Sequence, residues 1–514
     1  MPEVTTILGP FQPALQVLAT HAAAQQCAVW VVGGTLRDAL VGRPIHDVDL
    51  AVDGDATALA RAAADALGAA FVPLDEERAV TRVVLAGGAV LDFARLRAPT
   101  LAADLLARDF SANALAAPLR PDGSVGPLID HVGGAAAIAA GVLHMCSPAT
   151  FADDPLRILR ATRLASQLGW TLDPSLDAAL RAAAPRIAAI SAERVRDELL
   201  ALLATRWSAP WLRYLDRAGV LAVLLPELGP THGETQPIIH FLDVWEHTLE
   251  AICCGEWVLA QLADDARPAP PSPPADRADP YPPAFFNHPV AARSHPGLRA
   301  ELQWAGQVLA HMQQPLPGQH SRIGLWKLAL LLHDIAKPAT RADKPDGGVS
   351  FHGHQDIGAD MARRICQRLR LSRAEVEYVH TVVRGHMRPG QLNDLGEITP
   401  RAAYRFFRDL DPAAADTLLH SLADHLATRG PKLSPPHWAM HLAWTDAMLG
   451  FHWDGAREQQ KRAPLVDGHT LMRELNVSAG PQVGELLEAI REAYAAGEIS
   501  SSDDALALAR RLQA

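Results

Sequence analysis

The sequence predicts an α+β protein, in which a small head of mixed strands and helices precedes an all-helical remainder. Three observations carry this reading. Residues 27 to 131 alternate short β-rich runs with helical ones, the chain after Pro148 turns to long amphipathic spacing, and 514 residues exceed one ordinary core. Taken in order, CAVWVV reads as a strand, TLRDALVG as a helix and VDLAV as a strand. An alanine-rich helix then runs to Leu67, followed by three strands in AAFVPL, TRVVLA and AVLDFA. Beyond them, LRILRATRLASQL and ERVRDELLALL space their apolar residues at helical period, and no further strand is expected. The stretch from Asp264 to Pro296 is too proline-dense for a core element and reads as an extended surface insertion, at about 264–300.

Composition excludes several function classes. The formal charge of −11 argues against non-specific coating of nucleic acid, so any RNA contact must be local. Lysine occurs only at 327, 337, 344, 432 and 461, and the positive charge clusters as arginine at Arg157, Arg160 and Arg163, then at Arg194 and Arg196. No apolar run approaches the ~18 residues of a membrane span, and MPEVTTILGP lacks the basic and apolar regions of an export signal. Cys27, Cys146, Cys253, Cys254 and Cys366 form no CxxC spacing, which fits a reducing compartment. A cytoplasmic protein without membrane contact is expected.

The chemistry concentrates between Val31 and Val52. Asp47 and Asp49 stand two apart in a strand-like run, and a strand turns i and i+2 side chains to one face. Paired carboxylates can hold Mg²⁺ ions for in-line phosphoryl transfer, although two acids at a solvated strand end fit the same letters. Gly33 and Gly34 follow an apolar strand and open a helix, where backbone N–H groups and the helix dipole favour phosphate; Arg37 lies one turn in.

In this order, Gly33-Gly34-Thr35-Leu36-Arg37-Asp38 and Asp47-Val48-Asp49 resemble the head of the polymerase β nucleotidyltransferase superfamily. The resemblance is to class II tRNA nucleotidyltransferases (CCA-adding) and bacterial poly(A) polymerases. It implies that Gly34 and Arg37 contact a triphosphate and that Asp47 and Asp49 hold Mg²⁺. Asp92, in VLDFARLR, is placed either to supply a third carboxylate or to serve as a structural acid. ARDFSANALA, from Ala107, looks like the family motif whose arginine and asparagine engage the nucleotide. Ala107 replaces its first arginine, which leaves Arg108, Asp109 and Asn113. ADDPLRILRATRLASQLGW is similar to the family's nucleotide-selecting helix. Asp154 and Arg157, three apart, are expected on one helical face where they imitate a base edge, with Arg160 and Arg163 continuing toward phosphates. ISAERVRDELLALL resembles the neck that follows and is read as structural. Only Ala94 to Ala107 bridge Phe93 and Arg108, where CCA-adding enzymes carry a flexible loop, so addition of CC alone stays open.

A second set lies downstream: His247, His333-Asp334, His354, His386 and Asp424. Adjacent His and Asp on an apolar helix bury two polar groups that need a partner, and a divalent cation supplies one. The pattern resembles the HD phosphohydrolase superfamily, which implies an all-α metal domain whose ion is Mg²⁺, Mn²⁺, Ni²⁺ or Fe²⁺. The expected layout is a catalytic head at 1–149, a helical RNA-binding neck at 150–232, the HD domain at 233–430 and a helical tail at 431–514. The function implied is addition of C and A to the 3′ end of tRNA from CTP and ATP, with the HD domain a metal-dependent phosphohydrolase or phosphodiesterase. CC-only addition, poly(A) synthesis, and an HD hydrolase with an inactive regulatory head are the alternatives.

Overall fold

The computed structural model describes residues 8–75, 79–265, 271–274, 281, 283–318, 320–394, 396–461 and 465–513. The chain divides into two compact units, the first mainly residues 1–190 and the second mainly 191–217, 224–270 and 275–514.

The first unit opens with α1 (Gln12–Ala24) and is organised on seven strands among the described residues: β1 (Ala28–Val32), β2 (Asp47–Asp53), β3 (Ala70–Asp75), β4 (Val80–Val84), β5 (Val90–Arg95), β6 (Leu115–Pro118) and β7 (Ile129–Asp130). They form one mixed sheet in the order β3-β4-β5-β2-β1-β6-β7. Only β2 and β5 run parallel, in a register that sets Asp49 opposite Asp92. Because side chains alternate along a strand, Val48, Leu50 and Val52 of β2 and Leu91 and Phe93 of β5 share the other face, where they are buried. Helix α3 (Ala56–Leu67) packs against β2, β4 and β5 and buries Leu59, Ala60 and Ala63, the two alanines allowing close approach. Asp55 caps its start by accepting from the Ala58 N–H at 2.9 Å, and Gly68, at φ +60°, ends it. Between the strands lie α2 (Gly34–Val41) and α4 (Leu101–Leu106), and beyond the sheet runs α5 (Arg157–Leu168).

The second unit is almost wholly helical. Its neck helix α6 (Ala192–Leu203) starts at Ser191 without a side-chain cap and buries Val195, Leu199 and Leu203. Its centre is formed by α7 (Val244–Leu262), α8 (Arg322–Leu332), α9 (His354–Arg368), α10 (Arg373–Gly385) and α12 (Ala414–Arg429), with α11 (Pro400–Leu410) alongside. Trp326 and Leu330 of α8 pack against Gly255 of α7, where a Cβ would stand 2.7 Å and 3.2 Å from them. A trio of C-terminal helices, α13 (Gly468–Leu475), α14 (Pro481–Ala495) and α15 (Ser502–Gln513), has its own small core of Leu471, Leu486, Ile490 and Ala505. Among the described residues no helix is long and apolar enough to cross a membrane.

Two expectations change. Strands do not end at Pro148: Thr171–Leu172 pairs with Val142–Leu143, and Ala342–Asp343 pairs with Val349–Ser350 around a Pro-Asp-Gly-Gly turn. Runs this short carry no legible period. The proline-rich stretch is also not uniformly a surface insertion. Residues 266–270, 275–280 and 282 lie outside the described set, but Phe286 and Ala291 are buried, and the Val290 N–H donates to Glu250 Oε1 at 2.6 Å. The apolar residues threaded between the prolines supply that anchorage.

Candidate functional sites

Gly33 ends β1 at φ +70°, a conformation that a side chain would strain. A Cβ there would stand 3.0 Å from an Arg108 nitrogen and 3.4 Å from Asp49 Oδ2; at Gly34 it would stand 3.4 Å from both Arg37 and Asp49. The bare α-carbons therefore bring the helix start up to the carboxylate. The Gly33 N–H is engaged by the Leu115 carbonyl at 3.1 Å, so anion binding falls to the donors that follow it at the start of α2. Thr35 ties this turn to the acid strand: its hydroxyl accepts from the Asp49 N–H at 2.8 Å and donates to the Asp47 carbonyl at 3.3 Å.

The resulting cavity, about 410 Å³, is lined by Gly33, Gly34, Asp49, Asp92 and Asn113 together with Arg37, Arg97, Arg108, Arg157, Arg160 and Arg163. Asp47 shares the Asp49 face but sits exposed at the start of the strand, outside the lining. Burial pushes the Asp49 carboxyl above its ordinary value; the Asp92 charge adds to this, while Arg108 and Arg37 pull it back. A cation beside Asp49 would relieve that cost, so Asp47, Asp49 and Asp92 form an oxygen-donor set suited to a hard divalent ion. Asp92 is already held by Arg82 through two bonds of 2.8 Å, a partner that sequence spacing did not reveal.

The arginines are held in place. Arg37 donates to both oxygens of Asp38 and, at 2.6 Å, to Asn113 Oδ1, while Asn113 Nδ2 donates to Asp109 Oδ1 at 3.1 Å. Asp109 lies 3.4 Å from Arg160. Arg108 donates to Asp104 at 3.2 and 3.3 Å, and the other Asp104 oxygen accepts from the Arg97 N–H. Arg157 donates to the carbonyls of Thr150 and Ala107. One reading needs correction: Asp154 and Arg157 do not share a helical face. Asp154 is extended (φ −150°, ψ 101°) because Pro155 follows it, and α5 begins only at Arg157. Its carboxylate accepts from the Leu156 N–H at 3.1 Å, and Asp154 is not among the residues lining the cavity.

The second unit gathers His247 from α7, His333 and Asp334 from the end of α8, His354 from α9, His386 just past α10 and Asp424 from α12. His247 Nε2 lies 3.0 Å from Asp424 Oδ1 and 3.5 Å from Asp334 Oδ2, and His333 Nε2 lies 3.1 Å from Asp334 Oδ2. On the other Asp334 oxygen converge His354 and His386, at 3.4 and 3.9 Å. His333, His354 and His386 each place Nδ1 2.7–2.8 Å from a backbone carbonyl three residues earlier. As donors there, they turn Nε2 lone pairs inward, and the lone pairs of His354 and His386 then face one another at 3.2 Å. Such a contact is repulsive until a cation lies between, so the donor set fits divalent metal ions, with Asp334 able to serve two. Burial alone would raise Asp334, yet the cationic groups around it, Lys337 among them, hold it well below the usual carboxylate range. Sequence reasoning passed over Lys337, whose ammonium lies 2.6 Å from Asp334 Oδ2; a basic residue one turn after His-Asp was the available signal.

These geometries define the class: a nucleotidyltransferase head with a helical domain that carries a buried His/Asp cluster in the same chain. Family models match in the same order, a "Poly A polymerase head domain" over residues 29–144, a "Probable RNA and SrmB-binding site of polymerase A" over 169–230 and an "HD domain" over 305–428. The chain is 34% identical to an A-adding tRNA nucleotidyltransferase of Deinococcus radiodurans over 94% of each chain. It is 32% identical to a CC-adding tRNA nucleotidyltransferase of Thermus thermophilus, over 93% of this chain and 92% of that one. The fold is like that of the Thermotoga maritima CCA-adding enzyme solved with tRNA, at TM-score 0.56 and 20% identity over 99% of this chain and 98% of that one. The protein belongs to the tRNA nucleotidyltransferase family.

Proposed function

We propose that this enzyme adds C and A residues to the 3′ end of tRNA from CTP and ATP, selecting each base with its own side chains. The observation that supports it most is the single cavity in which Asp49 and Asp92 face six arginines beside a Gly-Gly helix start. In this reading the start of α2, Arg37 and Arg108 grip the triphosphate, Asn113 and Asp109 set the sugar, and Arg160 and Arg163 extend the phosphate-binding wall. Arg157, with Asp154 in the extended turn before it, reads the base edge. Asp47 and Asp49 would hold Mg²⁺, which when bound neutralises the triphosphate and makes the RNA 3′-hydroxyl easier to deprotonate. The sites occupy a head at 1–149 and an HD domain at 233–430, joined by a neck at 150–232 and followed by a tail from 431. His247, His333, Asp334, His354, His386 and Asp424 would hold Mg²⁺, Mn²⁺, Ni²⁺ or Fe²⁺ for phosphoester hydrolysis. Five unpaired cysteines support work in the cytoplasm.

A narrower activity, addition of the two C residues alone, is favoured by one feature. Residues 96–107 join β5 to Arg108 by a short ordered link containing α4, and Asp104 clamps its two ends together. That leaves little chain to rearrange when the incoming base changes. The test is incubation with labelled CTP or ATP, Mg²⁺ and tRNA ending before, within or after CCA. Completion of CCA supports full addition, arrest after two C residues supports the narrower activity, and run-on tails overturn both in favour of poly(A) synthesis.

A further inference from the structure

We propose that His420 is a nitrogen donor of the metal centre in the second unit, an inference that rests on reading this centre as a site for divalent ions. His420 is not part of the His, His-Asp, His, His, Asp pattern. It sits on α12 one turn before Asp424, and residues four apart project from the same side of a helix. Its side chain is fully buried, and neither ring nitrogen has a hydrogen-bond partner. A buried imidazole with two unsatisfied nitrogens is a cost that an apolar residue of similar size would avoid, so a partner is expected.

The position of the ring points to that partner. Its centroid lies 5.0 Å from that of His333 and 5.6 Å from that of His386. The pairs that converge on the two Asp334 oxygens have the same spacing, 5.5 Å for His247 with His333 and 5.2 Å for His354 with His386. His420 therefore stands in the ring of imidazoles. The helix that carries it is fixed one turn earlier. There the buried Asp416 lies 2.8 Å from His311 and accepts from Arg322 at 3.0 Å and from Tyr378 at 2.6 Å. With the backbone clamped at Asp416, His420 is held against His333 and His386.

The experiment uses the full chain, stripped of metal and titrated with Co²⁺ by calorimetry, with the visible absorption of the bound ion followed in parallel. Wild type should take up Co²⁺ in the second unit, measured in an Asp49→Asn background that removes the head site. His420→Leu should bind at least one ion ~10–100-fold more weakly and shift the Co²⁺ spectrum, while its metal-free form melts no lower than wild type. His420→Gln, which keeps a polar group, is the second variant if the leucine form does not fold. Unchanged affinity and spectrum in the folded variant would overturn the role of His420. No Co²⁺ uptake by the parent protein would instead overturn the metal reading of the whole centre.

Discussion

Thr35 shows how much of the head rests on one hydroxyl, since it holds the helix start against the backbone of both strand acids. Thr35→Val keeps the shape but leaves the Asp49 N–H unpaired, a loss of about 1–3 kcal/mol. We expect a lower melting temperature and a single-turnover rate of nucleotide addition reduced ~10–100-fold, because small displacements of reacting groups are costly. Glu250 carries a different signature. It is buried beside Cys254, its second oxygen has no partner, and burial pushes its carboxyl up to about 8 from an ordinary 4.5. A raised folded value means that its contribution is fully present below pH 4.5 and is lost as pH rises toward about 8. Denaturant titrations of wild type should therefore lose stability over that window, and Glu250→Gln should flatten the slope and be the more stable protein at pH 8. The glycines, the strand acids and the clustered arginines were legible as residues. Thr35 and Arg82 were not, because each acts through a partner brought near by folding; Lys337, one turn after Asp334, was legible but passed over.

At the scale of elements, sequence period located the head strands and the long helices but misplaced the start of α5. The signal was present: a residue before proline is driven from the helical region, so Asp154 had to stand outside the helix. Burial of Phe286 within the proline-rich stretch was not legible, since local composition says nothing of which distant surface will receive an aromatic ring. The C-terminal trio illustrates another element-level property. Its α14 and the turn after it face α11 through ionic contacts, Arg405 to Glu492 at 2.6 Å and Arg408 to Glu488 at 3.3 Å from α14 and Arg401 to Glu498 at 2.6 Å from the turn, with Tyr404 donating to Glu488 at 3.0 Å. Apart from the buried Glu492 these charges are at least partly exposed, so added salt should screen them as the Debye length falls from ~10 Å at 0.1 M to ~3 Å at 1 M. Hydrogen exchange in α11 and α14 should speed up with salt, while the internal core of Leu471, Leu486 and Ile490 stays protected. Equal protection at both salt levels would show that the contacts do not hold the trio in place.

Across the whole molecule, the arginine-lined cavity and the His/Asp cluster lie in separate compact units. Asp49→Asn should reduce nucleotide transfer at least ~10³-fold and leave the phosphoester hydrolysis proposed for the second unit intact. His333→Ala should do the reverse, and loss of both activities in either folded variant would contradict independent centres. The order of the domains was readable because each brings its own motif, whereas the proline-rich segment and the tail bring none. The parallel pairing of β2 with β5 has one more implication. The strands present acids on the front and Val48, Leu50, Leu91 and Phe93 on the back, and a slip of one residue would exchange the two. The oily underside thus acts as an alignment key for the chemistry above it. Evolution or design could retune the distance between Asp49 and Asp92 by reshaping apolar side chains on the face opposite the carboxylates.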